Sequence, residues 1–398
     1  MASIAGSQFV ATAATAVNVG ITSDGTSLPP PVGGEFNLEV WTGGGTPTLA
    51  PGYQGLLVDY NGQYADLVTG AFALTDSSSG GHYIQVDGVN ETVTGAPGDV
   101  IVTNADSVTA IGDGNVILGY GDHSTFNLAT GNNTLFAPTG DNDTITTGTG
   151  NNFVFVEGAN EKINLGSGND TVFAYTSSTG DTITASSGND LIYSLASNVT
   201  INGGSGNDTI AMVASNDSFL GGAGGVYTAQ VIGNNDTFNG GASHGTVLVS
   251  GNSDSITAGS GGADTITVFG NTNTVSGGAS PGAQIAVYGN TNNVLEGTAN
   301  NAVTVNGSGN TVTAGSATGT NQDTVNFTGS TDSFVDGGKL FNDTVIGFDH
   351  ASGDTIHLTS PDTVSTAVVT GSDTLLTLSD SSTILLKGVT NYSGGFLS

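Results

Sequence analysis

The chain has 398 residues, of which 34 are acidic and three are basic, so its formal net charge is −31. This balance makes nucleic acid and anionic membranes poor partners, because both are bound through basic side chains. A chain so acidic repels itself unless cations screen it. This repulsion favours the binding of divalent cations over the simpler interpretation that the acidic residues only keep the protein soluble.

Composition also narrows the fold class. An apolar fraction of 36% with regular spacing argues against disorder, and the absence of cysteine excludes disulfides and thiolate metal sites. No apolar run is long enough to cross a membrane as a helix, so no membrane span is expected. The first residues lack the basic segment of a secretory signal.

Residues 1–90 differ in composition from the rest of the chain. They contain strand-like segments at 36–41, 55–60 and 82–86 and the single tryptophan, Trp41. We expect a β-rich N-terminal cap or assembly segment here.

A regular internal repeat occupies residues 91–340. Its anchors are apolar residues that follow a polar triplet, and successive anchors lie 18 to 22 residues apart, most of them 18 or 19. A second apolar stretch, such as TITV at 265–268, follows in each period. The anchors are Val108, Phe126, Ile145, Ile163, Ile183, Ile201, Phe219, Phe238, Ile256, Val275, Val294, Val312 and Phe334.

Each period therefore contains two short strands of alternating apolar and polar residues, joined by two polar turns. Stacked coils of this kind bury a narrow continuous core. The sequence predicts an all-β fold, a parallel β-solenoid or β-roll with two strands per coil of about 19 residues. The predicted boundaries are 1–90 for the N-terminal segment, 91–340 for the solenoid and 341–398 for a C-terminal β cap.

Some turns carry a specific glycine motif. Residues 203–211, GGSGNDTIA, match the pattern GGxGxDxUx at every position, with Ile210 as the apolar residue U. Segments 166–173 and 186–193 repeat the motif with one or two substitutions, and 147–155 has asparagine in place of aspartate. Glycines permit positive φ and let carbonyls converge, while aspartate adds a hard anionic oxygen. The pattern predicts calcium-binding turns that lead into strands.

These motifs resemble the hemolysin-type (RTX) calcium-binding repeats of bacterial proteins, which wind into parallel β-rolls. In that family, calcium lies between turns of successive coils and is held by the motif aspartate and by backbone carbonyls. The resemblance implies calcium as the cofactor. The ligands it implies are Asp170, Asp190 and Asp208, the carbonyls of Gly166, Gly168, Gly188, Gly204 and Gly206, and Asn152 as a weaker, neutral ligand.

The opposite turn reads SND, GNND, GNSD, GNTN, GSGN or GSTD between Asn216 and Asp332. Asparagine and aspartate at one turn position of stacked coils form hydrogen-bonded ladders. We favour such a ladder over further calcium sites at this edge, so calcium is expected mainly around residues 147–208.

Residues 341–398 break the period and resemble the C-terminal region of substrates of bacterial type I secretion. That resemblance implies a last calcium loop, antiparallel capping strands and a C-terminal export signal, and hence a secreted protein. A cap is also needed physically, because the last coil would otherwise expose an unpaired strand edge.

Some RTX proteins are enzymes, but this sequence does not favour one. Its five histidines are scattered, it has no HExxH motif, and no GxSxG lies between a plausible strand and helix. The pair Asp349 and Asp354 is better explained as a calcium turn or a turn of the cap than as an acid and base.

The favoured function is a secreted calcium-binding structural protein of the bacterial surface or extracellular matrix, such as a surface-layer, biofilm-matrix or filament subunit. The repeat fills most of the chain, and an open solenoid end favours self-association. The alternative is an ice- or glycan-binding adhesin module with cell-surface glycans as partners. An acidic calcium store is a weaker third hypothesis.

Overall fold

The computed structural model describes residues 92–398 except 104–106, 281, 299, 316–321, 338–340, 360, 393 and 398. Before residue 92 it describes six strands and residues 28, 30, 31 and 33. The chain forms two compact units, Met1–Ala196 and Ser197–Ser398. Apart from two short 3₁₀ helices, the secondary structure of the described residues consists of β-strands.

The strands of the first unit are β1 (Phe9–Ala11), β2 (Val17–Thr22), β3 (Phe36–Trp41), β4 (Gly55–Val58), β5 (Ala73–Asp76), β6 (Tyr83–Val86), β7 (Thr92–Gly95), β8 (Val100–Thr103), β9 (Ser107–Ala110), β10 (Val116–Gly119), β11 (Thr125–Thr130), β12 (Thr134–Ala137), β13 (Thr144–Thr149), β14 (Phe153–Val156), β15 (Lys162–Asn164), β16 (Thr171–Ala174), β17 (Thr182–Thr184) and β18 (Leu191–Ser194).

Two sets of parallel strands build the first unit. The odd-numbered strands β5 to β17 pair in order, and so do the even-numbered strands β6 to β18, so each coil lies on the one before it. β1 pairs antiparallel with β5, and β2, β3 and β4 form a separate parallel sheet. The predicted strands at 36–41, 55–60 and 82–86 correspond to β3, β4 and β6. Most other positions before residue 92 lie outside the described residues.

The strands of the second unit are β19 (Thr200–Asn202), β20 (Asp208–Val213), β21 (Ser218–Leu220), β22 (Val226–Ile232), β23 (Thr237–Asn239), β24 (His244–Ser250), β25 (Ser255–Thr257), β26 (Thr265–Phe269), β27 (Thr274–Ser276), β28 (Gln284–Tyr288), β29 (Asn293–Leu295), β30 (Ala302–Asn306), β31 (Thr311–Thr313), β32 (Thr324–Phe327), β33 (Ser333–Val335), β34 (Asn342–Ile346), β35 (Thr355–His357), β36 (Val364–Thr370), β37 (Asp373–Leu378) and β38 (Thr383–Lys387), with 3₁₀ helices at His350–Ser352 and Gly394–Phe396.

The second unit has the same construction. Strands β19 to β35 with odd numbers pair in parallel, as do the even-numbered strands β20 to β34. β38 continues the second set in parallel with β34, and β37 and β36 then add antiparallel. Asp349 caps the first 3₁₀ helix, and its N–H donates to Asp354 Oδ2 at 2.9 Å, so this pair forms a turn of the cap.

The predicted fold class is confirmed: an all-β, parallel β-solenoid of about 13 turns spaced by about 19 residues. Every anchor of the repeat is buried, with at most 1% of its side chain exposed. The anchors of neighbouring coils lie in register, as Phe219 and Phe238 do with ring centroids 4.8 Å apart. Each such burial contributes about 1.5–3 kcal/mol, so the apolar column is a large stabilising term. One strand, β22, the second strand of its coil, was not predicted from the sequence.

Polar side chains form two further columns at one turn of the second unit. The inner ladder consists of one Asp or Asn side chain per coil, which we call a rung, and each rung is at most 2% exposed. The Oδ1 atom of every rung after the first accepts the backbone N–H of the rung one coil earlier, at 2.8–2.9 Å. Its rungs are Asp217, Asp236, Asp254, Asn273, Asn292, Asn310, Asp332 and Asp354.

An exposed outer ladder runs beside the inner one through Asn234, Asn252, Asn271 and Asn290, each accepting an N–H of the next coil at 2.8–2.9 Å. The ladder predicted for this edge is therefore confirmed.

The two ladders allow a matched test of what a buried rung contributes. Asn273→Ala removes the acceptor of the buried Asp254 N–H, so we expect it to lower the free energy of unfolding by about 1–3 kcal/mol in urea titrations. The control Asn271→Ala removes a rung of the exposed ladder, where water replaces the lost acceptor, and should cost less than about 1 kcal/mol. Equal losses would contradict a special role for the inner ladder.

Candidate metal centre

The glycine-rich turns before β14, β16 and β18 lie at one edge of the first unit. Glycine is required there because successive turns approach closely. A Cβ on Gly166 would lie 1.9 Å from the carbonyl oxygen of Gly148, and one on Gly188 would lie 1.6 Å from that of Gly168. Gly168 and Gly188 also have φ values of 136° and 141°. The turns therefore place carbonyl oxygens of successive coils in a column.

The side chains predicted to bind calcium in this unit lie beside that column. Asp170 is 1% exposed. Its Oδ1 atom accepts two hydrogen bonds from Asn152, one from the backbone N–H at 2.7 Å and one from the side-chain Nδ2 at 3.0 Å. Asp170 Oδ2 accepts the Thr147 hydroxyl at 2.8 Å. Asp190 occupies the same register one coil later, and its Oδ1 accepts the Asp170 N–H at 2.8 Å. The structure thus brings Asn152, Asp170 and Asp190 together in one buried column.

The other predicted ligands lie in the second unit. Asp208 is the first residue of β20 and is 6% exposed. The carbonyl oxygens of Gly204 and Gly206 face the following turn, where a Cβ on Gly222 would come within 1.9 Å of the first and one on Gly225 within 2.0 Å of the second. The complete motif therefore builds the same close approach of carbonyls in its own unit.

A column of acidic side chains for which the sequence predicted no role lies at the other edge of the first unit. Asp143, Glu161 and Asp181 are each 1% exposed. The Asp143 N–H donates to Glu161 Oε2 at 3.0 Å, and the Glu161 N–H donates to Asp181 Oδ1 at 2.9 Å. The remaining oxygens, Asp143 Oδ2, Glu161 Oε1 and Asp181 Oδ2, have no hydrogen-bond partner. The sequence signal for this column is an acid two residues before each anchor.

Burial changes the protonation of this column. It raises the pKa of Asp143 and of Asp181 to about 7, because desolvation disfavours the charged carboxylate. Desolvation, together with the nearby charges of Asp143 and Asp181, raises the pKa of Glu161 to about 9. Near neutral pH the column therefore requires protons or cations to offset its charge.

The donors of these turns fit calcium. Calcium takes carboxylate and carbonyl oxygens with flexible geometry, and both kinds converge at the glycine edge. The chain has only three basic residues, so neutralising charge must come mostly from protons or solvent cations. Fold and turns together define a parallel β-solenoid of the calcium-binding class.

Comparison with protein families points to the same class. A family model described as RTX calcium-binding nonapeptide repeat (4 copies) matches residues 138–172 and 175–210. These repeats and the parallel solenoid fit an RTX β-roll protein, and RTX nonapeptide repeats are calcium-binding. Neither the curated proteins nor the solved structures gave a match. Among the described residues, no helix has the length and apolarity needed to cross a membrane.

The acidic column predicts how stability depends on pH in chelator. A carboxyl whose pKa is higher in the folded chain than in the unfolded chain stabilises the fold at low pH, and this contribution is lost as pH rises through the folded pKa. We therefore expect the Tm of the calcium-free protein to fall between about pH 4 and pH 9. Glu161→Gln should flatten this fall, as measured by circular dichroism.

The control for this prediction is Asp113→Asn, a change at an exposed turn of the same unit. It should leave the slope of Tm against pH unchanged. A Glu161→Gln profile that coincides with that of the unaltered protein would contradict the assignment of the pH dependence to this column.

Proposed function

We propose that this protein is a secreted structural subunit of the bacterial surface or extracellular matrix, stabilised by calcium and self-associating through strand β36. An RTX β-roll of this kind is a calcium-binding protein of the extracellular type, and RTX β-rolls are commonly non-catalytic.

The observation that carries the proposal is the exposure of β36. This strand pairs antiparallel with β37, and six of its seven residues are exposed, so both of its faces lie in solvent. Val368 and Val369 are 52% and 50% exposed. An exposed apolar strand at the end of a sheet offers its backbone to a strand of another molecule. Addition of copies at this end would extend an open assembly.

Val368→Lys tests this surface, since a lysine on such a strand opposes pairing between chains. We expect the unaltered protein with calcium to form assemblies in sedimentation and electron microscopy, and the variant to remain mostly monomeric. The control Val226→Lys introduces the same charge at a 41% exposed valine of β22 and should assemble normally. Monomers alone in the unaltered protein, or normal assembly of Val368→Lys, would refute the proposal.

We also propose that Asp170, Asp190 and Asp208 hold calcium together with carbonyls of their turns: Gly166, Gly168, Gly188, Gly204 and Gly206, with Asn152 as a neutral neighbour. The support is the burial of the three carboxylates beside carbonyls that only glycine permits to approach so closely. Calcium would offset the charge of these carboxylates, so its binding contributes to folding.

The double variant Asp170→Asn with Asp190→Asn keeps an acceptor oxygen at each rung but removes two charges. We expect a smaller rise in Tm on adding calcium and fewer calcium ions bound per chain in equilibrium dialysis. Asp113→Asn is the control, because it removes one carboxylate charge from an exposed turn of the same unit as Asp170 and Asp190. An unchanged calcium response in the double variant would exclude these ligands.

Neutral glycans are a second candidate ligand, favoured by a row of aromatic rings on the outer face of the first unit. Neighbouring ring centroids lie 5.0–6.4 Å apart, and Tyr175 is 41% exposed. Such rings offer flat apolar faces to the C–H groups of a sugar, and the chain's negative charge disfavours acidic glycans. The row consists of Phe136, Phe153, Phe155, Phe173, Tyr175 and Tyr193.

Affinity electrophoresis in gels containing dextran or another neutral soluble polysaccharide tests this candidate. We expect retardation of the unaltered protein that Tyr175→Ala reduces severalfold. Tyr288→Ala, which removes a 40% exposed ring from the second unit, serves as the control and should be retarded normally. Equal migration of all three proteins with and without polysaccharide would count against the glycan candidate.

A further inference from the structure

We propose that Glu296, Asp323 and Asp343 form a binding site for one divalent cation, of which calcium is the expected occupant. The site lies within the second unit and is separate from the glycine-turn ligands proposed above. Its three carboxylates are buried, and one ligand oxygen from each lies within 4.8 Å of the other two. Oxygens that surround one calcium ion at roughly 2.4 Å are separated by no more than about this distance.

Glu296 breaks the pattern of the repeat. It directly follows β29, at a position where other coils have small residues such as Ala258 and Ala314. Its side chain is 0% exposed, and Oε2 accepts the N–H of Gly315 in the next coil at 3.1 Å. The length of glutamate thus carries its carboxyl along the interior toward Asp323 and Asp343, where alanine would leave only a methyl group.

The two aspartates come from successive coils in matching register. Asp323 directly precedes β32 and Asp343 lies in β34, and these two strands pair in parallel with Thr324 opposite Thr344. The Asp323 N–H donates to Asp343 Oδ1 at 3.0 Å, which fixes the second carboxyl against the first coil. Asp343 is 1% exposed.

Two carboxylate oxygens of the Glu296, Asp323 and Asp343 cluster indicate that a positive charge binds there. Glu296 Oε1 and Asp343 Oδ2 are buried and have no hydrogen-bond partner. A buried carboxylate oxygen without a donor is costly, and close carboxylates repel each other. No lysine or arginine is near in sequence, except Lys339, whose placement lies outside the described residues. A hard divalent cation among three carboxylates offsets the charge and supplies a partner to both oxygens.

The test uses the full-length chain and Glu296→Gln, which keeps the size of the side chain and removes its charge. We expect one fewer calcium ion per chain by native mass spectrometry at matched free calcium, and at least a tenfold loss of affinity for that ion. In chelator, the Tm of the variant should equal or exceed that of the unaltered protein, because a buried charge is gone. On adding calcium, its Tm should rise less.

Asp343→Asn is the second variant, because its amide oxygen can still accept the Asp323 N–H and so retain the ladder. It should lose the same ion. Glu157→Gln, a change of the same type near the surface of the first unit, should bind calcium normally. Full calcium stoichiometry and an unchanged calcium-dependent rise in Tm in both Glu296→Gln and Asp343→Asn would overturn the proposal. Because both variants leave Asp170, Asp190 and Asp208 intact, this result is independent of the outcome for those ligands.

Discussion

The structure depends on a hydrogen bond that recurs at the turns of successive coils. A buried Asp or Asn side chain accepts the backbone N–H of the equivalent residue one coil earlier, as Asp236 does for Asp217 at 2.8 Å. The turn cannot use the strand ladder at this point, so without the side chain a buried N–H would have no acceptor. The side chain therefore joins coils where the sheets end, and the apolar column can continue between them.

Where the side chain of the ladder is an aspartate, its negative charge is buried and must be offset. A carboxylate has two oxygens, and the ladder uses only one of them. In Asp143, Asp217 and Asp236 the second oxygen is buried without a partner, and desolvation raises the pKa of each of these carboxyls. An acidic solenoid with so few basic residues can offset such charge with protons or with cations. Calcium binding by the RTX repeats is therefore connected to the same architecture that makes the coils stack.

Much of the fold could be predicted because it follows from local rules. The spacing of the anchors fixed the register of coils, as the pairing of Ile145 with Ile163 confirms, and the GNTN turns indicated the Asn ladder. The acids at Asp143 and Glu161 were missed because calcium motifs were recognised by glycine, and these turns lack the full motif. Glu296 was missed for another reason: only the stacked coils bring it close to Asp323 and Asp343, which are distant in sequence.

Along the inner ladder of the second unit, the change from Asp to Asn separates the structural role of a rung from its charge. Asn273 accepts the N–H of Asp254 just as an aspartate would, but its Nδ2 donates to the Gly251 carbonyl at 3.1 Å, and that of Asn292 donates to Gly270 at 3.0 Å. Both polar atoms of an asparagine rung are thus satisfied by the protein alone. An aspartate rung such as Asp254 retains an oxygen without a partner. A coil with an asparagine rung needs no cation at this position, whereas a coil whose aspartate rung keeps an oxygen without a partner requires a proton or a cation. The Asp and Asn pattern therefore indicates which coils should respond to calcium and pH.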